Sequence, residues 1–158
     1  MNMRLFYIKY SIWAALLFSV TATLFLFLNT YSDMWLLYVG NLLFSAVVLT
    51  GVIRVNHLVK DNAGIQFMTM AGLKITFYGL LIASVITLTG LFISSMVFSQ
   101  SATLTESPSQ AGADPRGDLV FSLFMSAVLL NATLGALAAV IGAAVAKRNQ
   151  KTTEGKTL

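Results

Sequence analysis

The sequence predicts an all-α integral membrane protein: four transmembrane helices in one antiparallel bundle, with both termini on the cytoplasmic side. Three observations carry that prediction. The 158 residues are 57% hydrophobic and only 10% charged, whereas an ordinary soluble domain is roughly a quarter charged. Four apolar runs of helical length alternate with shorter polar segments. Nine of the ten Lys and Arg residues fall at run ends that share one side of a bilayer.

Each observation has a physical reason behind it. A soluble domain of this size leaves too much surface exposed to hide so many apolar side chains, whereas lipid covers them. The runs reach about twenty residues, the length a helix needs to cross; a membrane strand needs about ten of alternating polarity. A helix also satisfies its own backbone hydrogen bonds, which lipid cannot do for it.

The first span is expected from Tyr10 to Leu28, after Arg4 and Lys9. A basic start before an apolar stretch is also how a secretory signal begins. Here the stretch continues for about nineteen residues without a convincing small-residue cleavage site, which favours a retained anchor. Asn29 to Asp33 is a polar turn without Lys or Arg, so the first two spans form a tight hairpin. The second span covers Trp35 to Ile53, with Tyr31, Trp35 and Tyr38 suited to an interfacial belt.

Arg54 to Gly64 forms a charged connection. Ile65 to Leu73, interrupted by Gln66, Thr69 and Gly72, reads as a segment lying along the interface before a third span over 75–98. Residues 99–118 differ in kind: they are rich in Ser, Thr, Gly and Pro, and are expected to form a flexible outer loop. The fourth span covers 119–146, followed by a cytoplasmic tail over 147–158. No second domain or repeat is evident, so residues 1–158 form a single membrane domain.

The basic residues fix the orientation. Arg4, Lys9, Arg54, Lys60, Lys74, Lys147, Arg148, Lys151 and Lys156 stand together, and Arg116 stands alone on the other side. By the positive-inside rule the nine mark the cytoplasmic face. Asp33, Glu106, Asp114 and Asp118 lean the opposite way, against Asp61 and Glu154, but acidic residues weigh little in orientation. The sequence pI near 9.6 reflects these dispersed span ends rather than a nucleic-acid-binding face. Membrane lipids are the expected partners, with Arg54, Lys60, Lys74, Lys147 and Arg148 contacting headgroups.

Within the spans the strongest packing signal is a small-residue pattern in the fourth. Gly135, Ala139 and Ala143 recur every four residues, as do Ala138, Gly142 and Ala146. Such stripes let helix backbones approach closely. They serve either contacts within the bundle or association with another copy or another protein.

Two asparagines lie inside spans. At 1.5 Å per residue, Asn41 sits about 9 Å below Trp35 and Asn131 about 18 Å inward from Leu119. Depth matching pairs Asn41 with Thr21 or Thr23, and Asn131 with Ser84 or Thr87, through interhelical hydrogen bonds.

The sequence also excludes chemistry. It contains no cysteine, which removes disulfides, thiolate metal sites, thiol redox relays and palmitoylation. No charged residue falls at the centre of a span, where proton relays and ion paths usually lie. His57 is the single histidine. It shares a helical face with Arg54 and Asp61, too few ligands for a metal. Ser94 and Ser95 have no general base beside them. No catalytic, cofactor-binding or metal-binding residue is expected, and the chain reads as non-enzymatic.

One stretch carries a resemblance: Ile53-Arg54, then Asn62-Ala63-Gly64-Ile65-Gln66-Phe67, then Ala71-Gly72-Leu73-Lys74-Ile75. It is similar to part of a family of small four-helix bacterial membrane proteins, common in Bacteroidetes, that has no established activity. The resemblance spans about 25 residues and implies a multi-pass protein of the bacterial inner membrane. Besides a lipid-interacting protein whose cytoplasmic basic rim binds anionic headgroups, two functional expectations follow from the whole sequence. The first is a scaffold, accessory subunit or homo-oligomer associating through its fourth span. The second is an oligomeric transporter or channel for a small neutral solute, lined by Thr21, Thr23, Asn41, Ser84, Thr87 and Asn131.

Overall fold

A computed structural model of the chain describes residues 3–28, 35–59, 63–101, 121 and 123–154. These residues are helical almost throughout. Helix α1 covers Met3–Leu28, α2 Trp35–Leu58 and α3 Ile65–Ser101. Residues 123–125 enter a π-helical turn, Ser126–Leu130, which leads into α4, Asn131–Glu154. Four helical stretches are long and apolar enough to cross a membrane: Met3–Leu26, Trp35–Leu58, Ile65–Ile93 and Leu123–Gln150.

The helices pack as a four-cornered bundle. Helix α1 lies against α2 and α3, and α4 lies against the same two helices. A single core runs through it, built from Phe18, Phe25, Phe44, Met68, Ile75 and Leu123 with many small side chains between them. The outward faces carry Trp13, Val20, Leu42, Phe77, Val85 and Leu137, all exposed. In water such a continuous apolar surface would drive aggregation, whereas acyl chains solvate it.

Glycine decides how close the helices come. A Cβ on Gly72 would lie 2.7 Å from Val52 Cγ2 and 2.9 Å from the Ala139 Cα. This one position therefore holds α3 in contact with both α2 and α4. Gly135 meets Thr76 in the same way, with Cγ2 at 2.5 Å and Oγ1 at 2.7 Å from a built Cβ. Without a hydrophobic force between helices in lipid, this dense van der Waals contact holds the bundle.

Several expectations need correction. Ile65–Leu73 is not a separate interfacial segment but the first turns of α3. Met68, Ala71 and Gly72 are buried there, and Gly72 packs on Ala139. The polar residues that break its hydropathy, Gln66 and Thr69, sit on the outer or partly buried side. Helix α1 starts before Tyr10, and α2 continues past Ile53 to Leu58. Helix α4 continues through 147–154, so the tail begins as helix, with Gln150 buried. Gln100 and Ser101 complete α3, whereas 102–118, Tyr31, Lys60 and Asp61 lie outside the described residues.

Candidate functional site

The polar groups inside the bundle fall into two layers. At the basic end, where Lys9, Arg54, Lys74 and Lys147 gather, every link crosses between elements or closes a turn. The hydroxyl of Ser11 lies 2.8 Å from the Tyr7 carbonyl and 2.9 Å from that of Ile75, tying α1 to α3. Thr76 Oγ1 donates to the Gly72 carbonyl at 3.0 Å. Gln150 Nε2 donates to Asn56 Oδ1 and to the Ala63 carbonyl, while Lys147 Nζ donates to Gln150 Oε1 at 2.6 Å. One amide thus joins α4, α2 and the segment leading into α3.

The second layer lies toward the opposite end and forms the candidate site. Asn41 Nδ2 donates to Ser126 Oγ at 2.8 Å, linking α2 to the π-helical turn. That turn is built around Asn131, whose backbone N–H reaches back to the Ser126 and Val128 carbonyls. The wide turn brings Ser126, Ala127 and Asn131 all to the buried side. Single π-helical turns inside α-helices are frequently found at functional sites. Four buried oxygens here lack a hydrogen-bond partner among the described residues: Ser19 Oγ, Asn41 Oδ1, Thr87 Oγ1 and Asn131 Oδ1. Hydroxyls and carboxamides of this kind donate and accept hydrogen bonds without titrating near neutral pH. The layer can therefore hold a dipole or a water molecule; it offers no proton-transfer group.

The expected pairs are corrected by this geometry. Asn41 bonds Ser126 of the fourth span, not Thr21 or Thr23. Those threonines bond carbonyls of their own helix, Phe18 and Ser19, at 2.8 and 2.7 Å. Asn131 Nδ2 reaches the Ala127 carbonyl at 3.3 Å, again within its own helix, rather than Ser84 or Thr87. Ser84 is half-buried and Thr87 buried. A signal for the true partner was available: Ser126 lies seven residues from Leu119, about 10 Å, the same depth as Asn41. Asn56 and Gln150 were missed because they stand beside charged residues and read as wet span ends.

The remaining candidates have clear places. Gly135, Ala139, Gly142 and Ala143 are all buried inside the bundle. Arg54, Lys74 and Arg148 are exposed, and the Lys74 ammonium sits 5.6 Å from the Tyr7 ring centroid, within cation–π range. His57 is exposed near the end of α2, and among the described residues no group of His, Asp and Glu gathers as metal ligands.

Fold and site together define an all-α multi-pass membrane protein with an uncharged polar layer in its core. No family model, curated protein or solved structure matches the chain.

Proposed function

We propose that this chain is a non-enzymatic membrane protein acting as a scaffold or accessory subunit, not a conduit for solute. The observation that carries this reading is the closed interior. Gly72 and Gly135 bring α3 against α4 with no space for a methyl group. Gly40 closes on Thr21 and Phe18 between α1 and α2. Two of the threonines that would line a path, Thr21 and Thr23, bond to carbonyls of their own helix instead.

In the same reading the bundle is antiparallel. Tyr10 meets Gly51 and Thr21 meets Gly40, so α1 and α2 run in opposite directions. Thr76 meets Gly135 and Gly72 meets Ala139, which gives α3 and α4 the same relation. The charge distribution supports cytoplasmic termini, and the resemblance to small bacterial proteins supports an inner-membrane location. A protein partner then docks from the lipid or at the basic rim, because the small-residue stripe of α4 is occupied within the chain.

The test is permeation. Vesicles containing the purified protein should shrink and reswell in glycerol or urea at the rate of empty vesicles. A protein-dependent rate that Asn41→Leu abolishes would establish the transport alternative instead. A reporter active only in the periplasm, fused after Leu158, should stay silent; activity would reverse the orientation.

A further inference from the structure

A groove of about 340 Å³ runs along the outward side of the α1–α2 pair. Lys9, Tyr10 and Thr50 line it at the basic end, and Leu17 and Leu43 at the other. Between them lie Trp13 and Ala46, both exposed. Its wall is fixed at the mouth, since the Tyr10 ring rests on Phe6 with centroids 4.6 Å apart. Eight residues separate Lys9 from Leu17, about 12 Å along a helix. That is close to one leaflet's share of a hydrocarbon core about 30 Å thick.

We propose that this groove binds one anionic phospholipid, with its phosphate on the Lys9 ammonium and an acyl chain along Trp13, Ala46 and Leu43. The groove has the polarity of that ligand: a cation and hydroxyls at the interface, then only apolar side chains toward the midplane. Charge selects the anionic headgroup. Neither α1 nor α2 contains an Asp or Glu, so neither helix wall offers Lys9 a carboxylate. Arg54 stands one turn beyond Thr50 on the same face of α2, adding a second positive charge above the mouth. A cation at the surface favours an anionic headgroup by about fivefold. The site is independent of whether the protein is a scaffold or a conduit.

The two tryptophans supply the test. Trp13 lines the groove, and Trp35 begins α2 at the other end; their exposures are nearly equal, 55% and 56%. A Trp35→Phe variant is reconstituted with brominated phosphatidylglycerol or brominated phosphatidylcholine, and quenching of Trp13 is titrated. We expect about fivefold preference for the anionic lipid at Trp13, lost in Lys9→Gln and in Ala46→Phe, which fills the groove. A Trp13→Phe variant should show no such preference at Trp35. Equal quenching by the two lipids at Trp13, or the same preference at Trp35, would overturn the site. So would an Ala46→Phe variant that keeps the preference, because attraction at the surface would then suffice without the groove.

Discussion

The basic end and the opposite half of this bundle bury similar polar side chains but treat them differently. At the basic end a single amide, Gln150, uses both its nitrogen and its oxygen, holding Asn56, Ala63 and Lys147. In the opposite half, Asn41 and Asn131 each leave the carbonyl oxygen without a partner among the described residues, and Ser19 and Thr87 leave a hydroxyl. Lipid supplies no substitute for a lost hydrogen bond, so a satisfied group stabilises and an orphaned one costs. The difference teaches that the bundle is clamped at its basic end, while its polar layer holds an unmet capacity to bind.

Substitutions can break this comparison, and the largest effect belongs to packing at the clamp. Gly72→Leu forces a side chain into Val52 and the Ala139 backbone. It should cost about 3 kcal/mol or more, at the upper end of overpacking, or prevent assembly altogether. Unfolding by titration with denaturing detergent reads this directly. Gly142→Leu should cost less, because its nearest neighbours, Val52 Cβ and Cγ1, lie 3.1 and 3.2 Å from a built Cβ, farther than the atoms that crowd Gly72. Near-normal stability of the Gly72 variant would mean that the helices are not in contact as described.

Hydrogen bonds come next. Asn56→Ala removes an acceptor from Gln150 and should cost about 1–2 kcal/mol. Asn41→Ala loses one good bond to Ser126 but also discards an orphaned oxygen, so about 0.5–1 kcal/mol is expected. The smallest effect is Ser19→Ala, which removes only an unpartnered hydroxyl and should change stability by less than about 0.5 kcal/mol. Thermal melting in mild detergent ranks the three. A costly Ser19→Ala beside a neutral Asn56→Ala would invert the comparison.

The architecture was legible in the sequence where the signal is a property of a whole run. Four apolar stretches of membrane-crossing length survive any error of a few residues. What was not legible depends on single positions. Gln66, Thr69 and Gly72 interrupt hydropathy and made the start of α3 look interfacial. Yet Gly72 is small because Ala139 and Val52 press on it, a reason visible only once α4 is in place. Lys74 read as the edge of a span, although its long side chain reaches the Tyr7 ring from within α3.

The π-helical turn carries no sequence signature of its own. It changes which residues face inward by a local widening, and Asn131 at its end bonds the Ala127 carbonyl of its own helix. Asn41 failed for another reason, since depth gives level but not neighbour. Thr21, Thr23 and Ser126 all satisfy a depth match, and only the arrangement of the four helices chooses among them.

The most direct test compares two buried amides on the same helix, Gln150 at 6% and Asn131 at 0% exposure. Each is replaced by alanine, and unfolding free energies are measured in one detergent system. Gln150→Ala should cost about 2 kcal/mol, because Asn56 Oδ1 and the Ala63 carbonyl lose their donor. Asn131→Ala should stay within about 0.5 kcal/mol of the parent, since it gives up one long bond and one orphaned oxygen. Equal costs, or a larger one at Asn131, would contradict the division of the bundle into a clamped end and an unsatisfied polar layer.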